Sequence, residues 1–271
     1  MGGVTDDGRR RRWVWPVVVA GWAVVLVVAA YVSSRTGEAT VREQLSVAQA
    51  QSTVDRAAGE VVRASGGVAA GAVPEIRGYD LRTGCRLTAA RDGEELLRVV
   101  LFTTAASAED QVMKRIADGL PASYRARVRQ GVLRADAGEF VGVRGGIVAP
   151  GQVQVTVSTG CRPSAALAPA PADVPDDADQ AVDRALAALG VPAAQRRTDA
   201  VPCPGGGAAR TVAADATPGA PGQPPKAALH GLPVDTDILE QPDVYGYRSG
   251  ATGVVVRVSD GQVSVAATTG C

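Results

Sequence analysis

Two stretches of the sequence match each other in one register, and both end in a cysteine. Residues 151–161 and 261–271 share the opening Gly-Gln-Val, a valine two residues later and the ending Thr-Gly-Cys. The tetrapeptide Val-Asp-Arg-Ala also occurs twice, at 54–57 and at 182–185. Helix, cysteine, strands and final cysteine follow in the same order in both halves. We therefore infer two tandem copies of one module.

The periodicity of each copy predicts helices packed on antiparallel strands. Apolar residues recur at helical spacing from Val47 to Val61 and again from Val182 to Leu189, whereas Val153, Val155 and Val157 alternate with polar residues as in a half-buried strand. Further predicted elements of the first copy are a buried strand at 96–104, a helix capped by Ser107 and ended by Pro121, a strand at 139–143, and a break at Gly145-Gly146. The fold class is α+β.

The four cysteines, Cys85, Cys161, Cys203 and Cys271, are divided equally between the copies, one early and one terminal in each. Four cysteines allow three pairings. Only Cys85 with Cys161 and Cys203 with Cys271 makes the two copies alike, and we favour this pairing. Each module would then be closed by its own disulfide, which indicates an oxidising, exported environment.

An uncharged run of about 20 residues at 13–32 has the length of a transmembrane helix. Arg9, Arg10, Arg11 and Arg12 precede it directly, and this bias keeps the N-terminus cytoplasmic. The alternative is a cleaved signal peptide, because Val28-Ala29-Ala30 offers small residues for a cleavage site. The run is longer than a usual signal-peptide core, and aromatic residues lie near both of its ends, so we favour a retained anchor with the rest of the chain outside.

These patterns predict a division of the chain into six segments. The Pro- and Ala-rich stretch after Arg162 favours a spacer between the modules. We expect a cytoplasmic tail (1–12), a transmembrane helix (13–32), a juxtamembrane helical stalk (33–53), module 1 (54–161), an Ala/Pro/Asp-rich linker (162–178) and module 2 (179–271). The stalk could pair with a second copy to form a homodimer, but its alanine-rich seam is a weak one, and we favour packing on its own module.

Composition adds to this layout. Only two of the 28 basic residues are lysines, while Ala, Val, Gly and Arg are abundant. In layout and composition the chain resembles uncharacterised single-pass membrane proteins of high-GC actinobacteria, and it matches no characterised family. Without the four tail arginines and two tail aspartates, the balanced charge becomes about −2. This charge gives no reason to expect a nucleic-acid partner.

Chemistry-bearing motifs are sparse, and we predict no catalytic, cofactor-binding or metal-binding residues. His230 is the only histidine, and paired cysteines would not act as thiols. The run from Asp173 to Asp179 could hold Ca²⁺, but a helix start also collects aspartates, and we favour capping. Arg125, Arg127, Arg129 and Arg134 could bind an anionic polymer or lipid headgroups, although alternating arginines are more typical of a solvated edge.

The expected function is therefore non-enzymatic. We expect a membrane-anchored extracytoplasmic binding or scaffold protein of the cell envelope, in contact with the bilayer and with an envelope polymer or another membrane protein. The alternatives are a cell-envelope hydrolase and an accessory sensor subunit that works with a partner membrane protein. Clustered carboxylates in a deep pocket would favour the hydrolase, and a broad exposed apolar patch would favour the binding protein.

Overall fold

The computed structural model describes residues 7–36, 45–88, 91–169, 175–193, 195–216, 224–259 and 261–271. The helices are α1 (Asp7–Thr36), α2 (Val47–Ala64), α3 (Glu109–Gly119), α4 (Asp177–Leu189) and α5 (Pro225–Ala228). The first six strands are β1 (Ala72–Thr88), β2 (Arg91–Thr104), β3 (Arg127–Arg129), β4 (Val132–Asp136), β5 (Gly142–Ala149) and β6 (Gln152–Arg162). The others are β7 (Gln195–Pro202), β8 (Ala208–Ala216), β9 (Thr236–Glu240), β10 (Val244–Ser249), β11 (Thr252–Ser259) and β12 (Gln262–Thr269).

The fold is α+β, with two six-stranded antiparallel sheets of identical topology. Sheet 1 has the order β1-β2-β6-β5-β4-β3, and sheet 2 has the order β7-β8-β12-β11-β10-β9. The second order is the first with six added to every number. We call α2, α3 and sheet 1 module 1, and α4, α5 and sheet 2 module 2. The two matching sequence stretches form β6 and β12, which hold the same place in their sheets.

One long helix covers the inner face of each sheet, as the apolar periodicity predicts. Helix α2 begins with a capping box between Ser46 and Gln49, and its stripe residues are fully buried in the core of module 1. It begins at Val47, seven residues before the predicted start of that module. Helix α4 begins at a capping box between Asp176 and Asp179 and ends at Gly190 in the left-handed conformation.

The two disulfides are the pairs that the duplication predicts. Cys85 is bonded to Cys161 and Cys203 to Cys271, with Cα separations of 5.8 Å and 5.4 Å. In module 1 the bond joins the edge strand β1 to the end of β6, and in module 2 it joins the residues just after the edge strand β7 and after β12; in both cases one strand lies between them. Each disulfide therefore closes one module and leaves the other untouched.

Helix α1 contains the uncharged run and the four arginines that precede it. The apolar side chains of Trp15 and of residues 18–32 are exposed, with Trp15 at 72% and Leu26 at 59%. Within the part of the chain that the structure describes, no helix has the length and apolarity expected of a membrane span. The predicted stalk (33–53) lies partly outside the described residues, at 37–44, and its last residues belong to α2.

The tight turn between β4 and β5 differs from the sequence prediction. Glu139 and Phe140, predicted to begin a strand, are instead its central residues, with φ of 51° and 59°, and the N–H of Val141 donates to the carbonyl of Gly138. Gly145 and Gly146, predicted as a break, lie inside β5. Glycine suits position 145 because the Cβ of any other residue would lie only 3.1 Å from the Val155 side chain. We call residues 138–141 the Phe140 turn.

The modules pack against each other through a polar network around Arg98. Its guanidinium bonds to Asp55 Oδ1 of α2 at 2.5 Å, lies over the ring of Tyr79 and donates to the carbonyl of Ala200 in module 2 at 2.7 Å. Burial, together with the hydrogen bond that Tyr79 donates to Asp55, raises the pKa of Tyr79 to about 12. A buried cation of module 1 therefore holds the edge strand of module 2.

Two further contacts extend this interface along β1. The buried carboxylate of Glu75 accepts a hydrogen bond from Arg257 Nη1 at 2.7 Å, and the N–H of Ile76 donates to Thr211 Oγ1 at 2.9 Å. A separate apolar cluster joins the modules at the other end of the interface; it contains Val68, Val73, Ile238, Leu239, Val244 and Val255. The two sheets therefore bury surface against each other, in addition to having the same strand order.

Gly59 provides a test of this docking. An added Cβ on this α2 residue would lie 1.9 Å from the carbonyl oxygen of Pro202 in module 2. Gly→Ala inside a helix normally stabilises by about 1 kcal/mol. Here we expect Gly59→Ala to destabilise by about 1–3 kcal/mol, because the modules must move apart. Urea unfolding would measure this, with the exposed α2 substitution Ser52→Ala as control. A stabilising Gly59→Ala would show that the two modules do not touch there.

Candidate functional site

The sequence-predicted site residues are mostly in structural roles. Asp176 and Asp179 cap α4 and bind the guanidinium of Arg210 at 2.7 Å and 2.6 Å. Burial disfavours the charged form of Asp179, but the hydrogen bonds from Arg210 and from the Asp176 N–H lower its pKa overall. Asp173 lies outside the described residues. His230 is exposed, with Nδ1 3.0 Å from the carbonyl oxygen of Ala227.

A row of three arginines crosses the outer face of sheet 1. Arg127 on β3 lies opposite Arg134 on β4, and Arg134 lies opposite Arg144 on β5. Directly opposite residues in a sheet have Cα atoms about 4.5–5.5 Å apart, so the three residues span only about 10 Å. All three are exposed. We call Arg127, Arg134 and Arg144 the arginine row.

The arginine row has no internal counter-charge. Among the residues that the structure describes, none of the three forms an ion pair within 4 Å. Like charges directly opposite each other destabilise a sheet. The nearest acidic residue along β4 is Asp136, which accepts a hydrogen bond from the Gly138 N–H. Asp136 keeps its charge, but among the described residues it forms no ion pair with the row, which is therefore a strip of three cations without a direct ion-pair partner.

The exposed β1–β2 hairpin of the same sheet provides a contrast. There Arg82 lies opposite Glu95, and Arg86 lies opposite Asp92. Arg82 also forms an ion pair with Asp80 at 3.1 Å. Arg82 and Arg86 of this sheet therefore face acidic residues, whereas the arginines of the row face one another.

The corresponding positions of module 2 are apolar and buried. Arg144 lies opposite Thr156, and the equivalent residue of module 2, Val255, lies opposite Ala266. Following the register outwards, Gly246 corresponds to Arg134 and Leu239 to Arg127. Leu239 and Val255 belong to the apolar cluster between the modules, and Gly246 lies against Thr103. The same face is thus a packing surface in module 2 and an exposed cationic surface in module 1.

A cleft of about 280 Å³ lies between the modules. Arg63 and Arg248 are the charged side chains among its described lining residues, which also include Val62, Gly66, Gly67, Val68, Ala69, Gly250, Ala251, Gly270 and Cys271. Arg63 is paired with Glu60, whereas Arg248 donates to the neutral hydroxyl of Thr236 and its buried Nε has no hydrogen-bond partner among the described residues. Within that part of the chain, the cleft therefore offers one arginine without a counter-charge, against three in the arginine row.

Sequence reasoning considered part of the arginine row. It named Arg127 and Arg134, together with Arg125 and Arg129, as residues that could bind an anion, but it favoured a solvated edge. Arg125 lies in the preceding loop in the left-handed conformation, and Arg129 is opposite Val132. It missed Arg144, which is distant from the other two in sequence and beside two glycines. Only the strand register brings Arg144 to the row, so no local pattern could have found it.

Comparison with known proteins adds little. No protein-family model matches the chain, and no curated protein sequence matches it. One solved structure, that of a DUF4853 family protein from Actinomyces odontolyticus, is similar over 62% of this chain and 92% of that chain, with 12% identity and a TM-score of 0.32. A likeness at that level establishes neither a shared fold nor a shared function.

The repulsion within the arginine row can be measured. We expect Arg134→Gln to stabilise the protein by about 0.2–1 kcal/mol in dilute buffer, because it removes the central charge of the row. The gain should shrink at about 1 M salt, where the Debye length is only about 3 Å. The matched control is Arg82→Gln, which removes a charge that faces Glu95 and should give no gain. Urea unfolding of the unmodified protein and of the two variants would measure these changes in stability. A loss of stability in Arg134→Gln at low salt would contradict the repulsion.

Proposed function

We propose that this chain is a membrane-anchored, extracytoplasmic binding protein of the cell envelope, non-enzymatic, whose ligand is anionic. The arginine row carries the proposal. Guanidinium groups bind phosphate and carboxylate oxygens through paired hydrogen bonds, and a row of three spaced by adjacent strands suits a ligand with repeated negative charges. Such a ligand would supply the ion-pair partners that the arginine row lacks.

Protection of a sheet edge does not account for the row. Charged residues on an edge strand discourage pairing with other chains, and Arg127 on β3 can do this. Arg134 and Arg144 lie on interior strands of sheet 1, where no edge needs protection. A binding surface gives a reason for all three positions.

The anchor and the exported location have separate support. The uncharged run at 13–32 has the length of a membrane span, and the exposed apolar side chains of α1 would be in a favourable environment in lipid. The arginines at 9–12 favour a cytoplasmic N-terminus. Two disulfides, one in each module, are typical of exported proteins.

The first test concerns the anchor. We expect the full-length protein to remain in the membrane pellet at its full mass after alkaline carbonate washing. High pH releases proteins that are held to the membrane by charge, but it does not extract an inserted helix. Protease added to intact, wall-stripped cells should then remove both modules. A soluble form beginning near Tyr31 would indicate a cleaved signal peptide, and protection of residues 85–271 would indicate the reverse topology.

The second test concerns the ligand. Full-length protein in detergent should bind soluble polyphosphate, and the triple substitution Arg127→Gln, Arg134→Gln, Arg144→Gln should weaken binding by about tenfold, the sum of three exposed charge contacts of about 0.5 kcal/mol each. Binding should also weaken as salt is raised. The control removes three charges elsewhere on sheet 1 by Arg82→Gln, Arg86→Gln and Arg91→Gln. Equal losses in the two triple variants would mean that net charge, and not the row, binds the polyanion.

A further inference from the structure

The Phe140 turn combines a strained backbone with an exposed aromatic side chain. A tight hairpin turn with two positive φ values favours Asn-Gly, whereas this turn has Glu139 and Phe140. A bulky residue with positive φ is an outlier, and such strain persists where the surrounding structure enforces it. Phe140 is 57% exposed. The turn therefore presents an aromatic ring outwards at a position where packing does not require one.

Neighbouring residues hold the turn firmly in place. Thr53 Oγ1 of α2 donates to Glu139 Oε2 at 2.7 Å. The guanidinium of Arg162, which is fully buried, donates to the carbonyl of Glu139 through Nη2 and to the carbonyl of Leu45 through Nη1. One buried side chain thus links the turn directly to the segment through which the chain enters module 1.

That link connects the Phe140 turn to Leu45, the first described residue after α1. Leu45 follows the last residue of α1, Thr36, by nine positions, a reach of at most about 32 Å. If α1 spans the bilayer, as the proposed function holds, the lipid surface lies within reach of the turn. Arg144 is four residues from Phe140, so the arginine row is at most about 14 Å away along the hairpin.

We propose that the Phe140 turn docks on the outer surface of the anchoring bilayer, with the Phe140 ring at the boundary between headgroups and acyl chains. Arg134 and Arg144 then contact anionic lipid headgroups. An exposed aromatic ring beside cationic side chains is the combination that interfacial membrane contacts use. The inference rests on the proposed function and names its ligand: the anionic component is the lipid surface itself.

A fluorescent label at the turn tests the docking. Among the described residues no cysteine is free, so Phe140→Cys gives one labelling site. Full-length protein would be reconstituted in vesicles of phosphatidylglycerol and phosphatidylcholine that contain a lipid spin-labelled near the headgroup. The control is Val148→Cys, which is 54% exposed at the opposite end of β5, about 20 Å or more from the turn. We expect several-fold stronger quenching at position 140. If labelled Phe140→Cys does not fold, Glu139→Cys reports on the same turn.

Three further arms separate the docking from the proposed function. Arg134→Gln with Arg144→Gln should reduce the quenching at position 140 in anionic vesicles, and vesicles of phosphatidylcholine alone should give the same reduced value. Excess soluble polyphosphate should lower the quenching only to that same reduced value, because it competes for the arginines and leaves the Phe140 turn in contact with lipid; loss of all quenching would mean that a polymer, and not lipid, is the ligand of the row.

Equal quenching at positions 140 and 148 would overturn the docking. The proposed function would stand in that case if the triple arginine variant still lost its binding to polyphosphate in detergent. If that variant bound polyphosphate as the unmodified protein does, the proposed function would fail whatever the label showed. Failure of the protein to enter vesicles would remove the anchor and the docking together.

Discussion

The buried guanidinium of Arg98 joins helix α2, sheet 1 and module 2 in one set of contacts. Asp55 supplies the counter-charge, Tyr79 covers the planar face, and the Ala200 carbonyl accepts from the remaining amino group. Breaking a buried ion pair by removing one partner costs about 3–5 kcal/mol, because a charge is left uncompensated. The place of α2 over sheet 1 and the docking of the two modules therefore depend on the same side chain.

Module 2 has a different contact at the position equivalent to this one. Asp55 and Asp183 occupy the same position in the repeated tetrapeptide, and both tie a helix to a sheet. Asp183 binds Arg196, an exposed residue of β7, at 2.8 Å. The register places Val212 where module 1 has Arg98. One copy thus keeps an apolar core at this position, while the other places a cation there that reaches across to its neighbour.

The sequence predicted what depends on local periodicity and on the repeat. The α+β class, the two disulfides and the packed stripe of α2 follow from spacing and from the identity of the copies. Predictions failed where tertiary contacts decide. Ser107 was predicted as a helix cap but has φ of 74°, and Ala108 takes the cap position. Gly145 marked a break in sequence, yet it is a strand residue, and Val155 and Leu133 lie within 3.3 Å of the place where its Cβ would be. The arginine row required the register of three strands, which no single segment encodes.

Duplication also creates a problem that bears on the arginine row. Two copies of one module have two equivalent outer faces, and module 2 buries Leu239, Gly246 and Val255 of its face against module 1. An apolar copy of that face on module 1 would invite further units to stack, as uncapped repeats do. Polar residues at 127, 134 and 144 prevent this, but mixed charges would do so without repulsion, as on the β1–β2 hairpin. Capping therefore explains why the row is polar, and the proposed anionic partner gives a reason for all three residues to be arginine.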